Sequence, residues 1–258
     1  MSAHYLKSVL TALLFCFSLF STAQKNNIAL SNNLAENADE LKVKMGTQWF
    51  GKIWKFRFGD YEVVSSKLGW TTTSSKGSIF NLKTETSSSE KFSFVLANKS
   101  QDKAKVNAAK RMKMESLREI EILPSLTIGG DVLKESGNFT AFISINEDTT
   151  NTWALLMNVV NVNEGNNTYN AYLTNGERKI FIIPVTSNDG RSIPALGYEF
   201  VENGIPLCAM QYYGGGTLGM NKNIIWLGKQ LDEPMKLILA AAMTALLQIN
   251  VSASVSGF

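Results

Sequence analysis

The chain has 258 residues, 25 basic and 22 acidic side chains, a net charge of +3, two cysteines and one histidine. So even a charge balance gives no general electrostatic case for nucleic-acid binding. The lone histidine, His4, lies in a segment read below as removed on export, which excludes a Ser-His-Asp triad, a Cys-His pair and His-ligated zinc or iron, and leaves carboxylates, Lys, Tyr or Ser for any catalysis.

At the start, Lys7 precedes an apolar run from Val9 to Phe20 and the small residues Ser21-Thr22-Ala23, the pattern of a secretory signal peptide over 1–24. The run of about a dozen residues is shorter than the roughly 20 that a transmembrane helix needs. Ser21-Thr22-Ala23-Gln24 resembles the cleavage sites of exported bacterial proteins. Cys16 raises a lipoprotein alternative, but Phe15 stands where lipoprotein processing needs a small residue. The expected address is the periplasm, the cell envelope or the extracellular space. Cleavage leaves about 234 residues, a charge of about +2 and Cys208 as the single cysteine, so no intramolecular disulfide forms. Cys208 sits in the apolar run from Ile205 to Met210 and reads as a buried thiol.

Residues 25–40 are rich in Asn, Ala and Ser without an apolar period, as in a flexible lead-in, and 41–258 read as a single domain. Trp54, Phe56 and Phe58 alternate with Lys55 and Arg57, and Gly59-Asp60 marks a turn into Tyr61 to Val64. Strand-like runs follow at Ser78 to Lys83 and Lys91 to Leu96. Between Asp102 and Met114 the spacing of Val106, Ala109 and Met112 predicts a short helix. Beyond Gly129-Gly130, alternation resumes through Phe139, Ala141, Ile143 and Ile145, then Trp153 to Val160, Tyr169 to Leu173 and Lys179 to Val185. Asn175-Gly176 and Asn203-Gly204 predict type I′ hairpin turns. Many short strands so spaced indicate a mainly β sandwich or barrel.

After a strand at Asn223 to Leu227, Asp232, Glu233 and Pro234 open a helix in which Leu237 to Ile249 carry only Thr244 and Gln248 as polar residues. A helix apolar on all sides must be enclosed. Its roughly 15 residues span about 22 Å, too short for a bilayer but suited to the interior of a wide barrel. Trp226 to Lys236, as the strand and acidic turn, and Leu237 to Leu247, as the helix, resemble the end of the tubby-like barrel superfamily, which includes tubby C-terminal domains, phospholipid scramblases and LURP-one proteins. The resemblance implies an antiparallel β-barrel enclosing a C-terminal hydrophobic helix. The phosphoinositide-binding and scramblase motifs of those proteins are not located here, so only the fold is implied.

The cations Lys103, Lys105, Lys110, Arg111 and Lys113 form the candidate ligand-binding segment, for lipid headgroups or acidic glycans, against the plainer reading of a solvated face. Gly214 to Gly219 reads as a phosphate loop or, more simply, an inter-strand loop. Glu147-Asp148 with Asn151, and Asn188-Asp189, offer calcium-type oxygens but fit ordinary turns, and neither a metal nor a cofactor is expected. Asp60 with Glu62 offers a carboxylate pair that strand geometry alone explains. Trp49, Phe50, Trp54, Phe56 and Phe58 read as a ligand groove or as core. The expected function is an exported, non-catalytic binding module of the bacterial envelope, with a membrane surface or lipid as partner and no nucleic acid. The alternative is a carboxylate-dependent hydrolase of glycans, which needs two carboxyl groups about 5 to 9.5 Å apart across a cleft. A lipocalin-like carrier needs an empty lumen, in conflict with an internal helix.

Overall fold

A computed structural model describes residues 27–46, 53–69, 71–77, 83–117, 120–123, 126–128, 132–148, 150–162, 168–187, 194–216 and 221–255. Residues 1–26, Trp49, Phe50, Gly129-Gly130, Asn188-Asp189, most of the run from Ser78 to Lys83, and Thr217 to Gly219 lie outside them.

The strands are β1 (Ala38–Lys42), β2 (Lys44–Met45), β3 (Phe56–Phe58), β4 (Tyr61–Leu68), β5 (Thr72–Gly77), β6 (Lys83–Ala97), β7 (Lys103–Leu117), β8 (Ile120–Leu123), β9 (Leu126–Ile128), β10 (Val132–Ile145), β11 (Trp153–Val162), β12 (Thr168–Thr174), β13 (Lys179–Thr186), β14 (Leu196–Glu202), β15 (Ile205–Tyr213) and β16 (Ile224–Gly228). Helix α1 (Asn32–Asn37) precedes them and α2 (Glu233–Val255) follows. Fourteen strands form one antiparallel sheet whose neighbours follow chain order, while β8 and β9 pair separately. β1 pairs with β16 and β2 with β3, and only Val43 separates β1 from β2. A single extended run therefore ties the two ends of the sheet together and nearly closes it into a barrel. β4 and β5 likewise lie end to end along β6. Counting each such pair once gives twelve staves around the wall.

Period-two alternation builds the interior. Phe92, Phe94 and Leu96 on β6, Ala104, Val106 and Ala108 on β7, Phe139, Ala141 and Ile143 on β10, and Trp153 and Leu155 on β11 all face one continuous core. Helix α2 fills it, touching β6, β7 and β10 along one side and β15 and β16 along another. Asp232 caps the helix, its Oδ1 accepting from the Met235 amide at 2.7 Å. Every residue from Leu237 to Ile249 is buried. The two polar groups among them are satisfied: the Thr244 hydroxyl donates to Ala240 O at 2.8 Å, and Gln248 Oε1 accepts from the Trp54 amide at 3.2 Å. Among the described residues no helix is long and apolar enough to cross a membrane. Phe56 and Phe58 belong to this core, with Phe58 stacked on Tyr61 at 5.5 Å, and Cys208 is a fully buried thiol.

Three local expectations are corrected, and the plainer inter-strand reading of the glycine run stands. Asp102 to Met114 is no helix: it is the greater part of β7, paired along its length with β6 and β10. Its Ala, Lys, Arg and Met are strong helix formers, but the alternation of Lys103, Lys105 and Asn107 with Ala104, Val106 and Ala108 suits a wall with one wet face, and tertiary pairing overrides propensity. Where composition leads to a mobile lead-in, residues 27–37 pack on the outside of the barrel. Ile28 and Leu34 join Ala195, Ala209, Ile224 and Trp226 in a second cluster, and the amides of Ile28 and Ser31 donate to Gln211 Oε1 and Glu199 Oε1 at 3.0 and 2.7 Å. The turn at Asn175-Gly176 is a longer loop, with Asn175 Oδ1 accepting from the amides of Glu177 and Arg178, whereas Asn203 and Gly204 both take the positive φ of a type I′ turn. The glycine run from Gly214 leads towards β16 rather than a helix, so the phosphate-loop context is missing.

Candidate functional site

β6, β7 and β10 run 14 or 15 residues each, against 5 to 9 for β13 to β16, so their outer faces form the broadest surface of the wall. Register places one polar row across it. Arg111 on β7 lies opposite Ser89 on β6 and Asn138 on β10, Asn138 lies opposite Asn158 on β11, and Asn158 opposite Asn170 on β12. Two residues along each strand, on the same face, a second row runs Lys91, Ala109, Thr140, Leu156 and Tyr172.

The two rows line a hollow of about 560 Å³ that takes in Arg111, the three asparagines, Leu156 and Tyr172. A second hollow of about 350 Å³ shares Ala109 and Thr140 with it and continues past Asn107, Phe142 and Lys91 to Lys67 on β4. The groove so formed crosses six strands from β12 to β4, roughly 24 Å at the usual strand spacing of about 4.8 Å. Lys67, Lys91 and Arg111 give it positive charge, and no carboxylate lines either hollow among the described residues. The Arg111 guanidinium and the carboxamides of Asn138, Asn158 and Asn170 have no hydrogen-bond partner among the described residues. Apolar surface flanks the groove: Phe142 is 52% exposed, and Lys179 Nζ lies 4.2 Å from the Tyr172 ring centroid and 4.9 Å from that of Phe181.

The strand splits the cation run anticipated from the sequence. Lys103, Lys105, Arg111 and Lys113 share the outer face, while Lys110 points to the other side, in the row of Glu90 and Phe139. Of the five only Arg111 lines the groove, and Lys113 pairs with Glu85 at 2.7 Å. The asparagines and Tyr172 were missed. Their signal was present, since asparagine is depleted from strand interiors and here stands mid-strand three times.

The remaining candidates resolve into structure. Asp148 Oδ1 accepts from the Thr150 amide and hydroxyl at 2.8 and 2.6 Å, bonds that hold its carboxyl below the usual range and close a turn. Among the described residues no group of three acidic, His or Cys side chains is placed to hold a metal. Asp60 sits in the β3–β4 turn and Glu62 on the outer face of β4, with buried Tyr61 between them. A smaller hollow of about 230 Å³ at the seam is lined by Asp60, Tyr61, Glu233 and Lys236, and Glu233 is paired with Lys236 at 3.0 Å. Burial, with Glu233 and Asp60 adding to it, pushes the Tyr61 hydroxyl up to about 12, so it stays protonated.

Fold and site together define a class: a nearly closed antiparallel barrel built around a helix, with a polar, cationic groove across its outer wall. Comparison with protein-family models, with curated proteins and with solved structures finds no match to this chain.

Proposed function

We propose that the protein is an exported, non-catalytic binding module of the bacterial envelope, that the outer-wall groove is its ligand surface, and that its barrel is of the tubby-like kind. The observation that carries the binding reading is the row of hydrogen-bonding groups that no described residue pairs, Arg111 with Asn138, Asn158 and Asn170, held in register along a hollow. Exposed polar groups on a rigid sheet are preorganised, so little ordering entropy opposes a ligand. The positive lining favours an anionic partner, an acidic glycan or an anionic lipid surface. A hydrolase of glycans needs a carboxylate pair astride its substrate, and the groove's described lining supplies none. A nearly closed antiparallel barrel around one buried C-terminal helix supports the tubby-like assignment.

The test is a pair of exposed substitutions, Arg111→Gln and Asn158→Ala, in purified protein presented with anionic vesicles and with acidic polysaccharide. Both should leave thermal unfolding unchanged, because surface changes away from packing seldom exceed about 0.5 kcal/mol, and both should weaken binding. An anionic partner held equally well by both variants and the unmodified protein would place the ligand surface elsewhere.

A further inference from the structure

We infer that the ligand of the groove is an acidic glycan laid across the strands from β12 towards β4, its hydroxyls read by the asparagine row and a carboxylate held by Arg111. This rests on the groove being the ligand surface. The groove has two chemically distinct ends. At the β12 end Asn170, Asn158 and Asn138 stand on neighbouring strands, so their carboxamides repeat at about 4.8 Å. Each carboxamide presents both donors and an acceptor. A sugar hydroxyl also donates and accepts, and so matches both ends of the amide. A phosphate or carboxylate only accepts, and would leave every amide oxygen unmatched.

Beside Asn158 and Asn170 the second row is apolar. Leu156 and Tyr172 line the same hollow, offering a surface on which the C–H face of a pyranose ring rests while its hydroxyl edge turns to the amides. At the other end the chemistry changes to charge. The Arg111 guanidinium is a planar fork suited to bidentate carboxylate binding, and Lys91 and Lys67 extend the positive lining with no acid among its described residues. An anionic lipid surface would be served by cations throughout, whereas here the described lining of the β12 half carries three amides with Arg111 as its one cation, and Lys179 stands at the flank over Tyr172. A chain with many hydroxyls and spaced carboxylates fits both halves.

The experiment is calorimetric titration of the purified protein with a panel of acidic oligosaccharides, namely oligogalacturonate, oligomannuronate and hyaluronan oligomers, beside methyl-esterified oligogalacturonate and phosphatidylglycerol vesicles. At least one acidic oligosaccharide should bind, and Arg111→Gln and Asn158→Ala should each weaken it by about tenfold or more, the loss expected for one good hydrogen-bonded contact. If oligogalacturonate is the one bound, methyl esterification should weaken it at least as much as Arg111→Gln. If none of the panel binds while vesicles do, and Arg111→Gln abolishes that, the groove remains the ligand surface and the glycan inference falls. Binding lost with Arg111→Gln but untouched by Asn158→Ala is recognition of charge alone, and again overturns the glycan. If neither substitution alters binding of any probe, or no probe binds, the inference and the reading beneath it both fall.

Discussion

Arg178 and Glu202 meet as a fork on a fork, Nε to Oε1 at 2.8 Å and Nη2 to Oε2 at 2.7 Å, with the guanidinium 5.6 Å from the Trp153 ring centroid. The pair fixes the loop before β13 to the end of β14. The bonds from Arg178 hold the Glu202 carboxyl below its ordinary value of 4.5, against a smaller opposing effect of burial. A carboxyl whose folded pKa lies below its unfolded one contributes stability that is present above the unfolded value and lost as pH falls through the folded value. Glu202→Gln should therefore destabilise the protein by about 1 kcal/mol at pH 7, the order of a partly exposed pair, and the deficit should shrink as pH drops below 4.5. Urea unfolding of both proteins at neutral and acidic pH measures it; a deficit independent of pH would mean that Glu202 acts through packing.

Among the elements, those with one strong period were legible in the sequence. The alternation of Phe139, Ala141 and Ile143 gave β10, and the unbroken apolar run from Leu237 gave α2, because a single face or its absence decides each case. β7 was misread because its residues favour a helix in isolation and only pairing with β6 and β10 makes them a strand. The packing of residues 27–37 was hidden for another reason. Ile28 and Leu34 need a second apolar surface, and Ala195 with the outer face of β15 and β16 (Ala209, Ile224 and Trp226) provides one. Gly197 lets this segment in. A Cβ there would stand 2.1 Å from Met210 O and 2.8 Å from Ile28 Cδ1, so the absent side chain is the notch that Ile28 fills. Gly197→Ala should destabilise by more than about 1 kcal/mol and loosen residues 27–37 first, whereas Gly176→Ala, whose Cβ meets nothing within 4 Å, should show only the modest cost of positive φ. Hydrogen exchange at the Ile28 amide, which donates to Gln211, reports the loosening; protection unchanged in Gly197→Ala would show that the strands yield instead.

At the scale of the whole molecule, the groove and the seam were the illegible parts, since both exist only through register. Asn138, Asn158 and Asn170 stand on three successive strands and come into line only when these pair, and β1 meets β16 by joining Ala38 to Gly228. The helix was legible, and it explains why the barrel stands. About eight strands enclose a lumen that side chains alone can fill, so a wall of twelve staves leaves a space that needs a further element. α2 occupies it with Leu239, Ala240, Ala241, Ala242, Met243, Leu246 and Leu247, all of them fully buried. Ala241→Asp places an unpaired carboxylate in that core, at a cost of several kcal/mol against a typical total of about 5 to 15, and should leave the protein largely unfolded. Ala241→Ser, nearly the same size, has a hydroxyl able to bond back to the carbonyl four residues earlier, as Thr244 does to Ala240, and should cost far less. Truncation after Glu233 removes the filling altogether, leaving the inward rings of Phe94, Phe139 and Trp153 around a void, and should prevent folding. Thermal unfolding with size-exclusion chromatography decides the matter: a truncated chain that stays soluble, monomeric and cooperatively folded would show that the wall stands without its helix, and the tubby-like reading of the barrel would go with it.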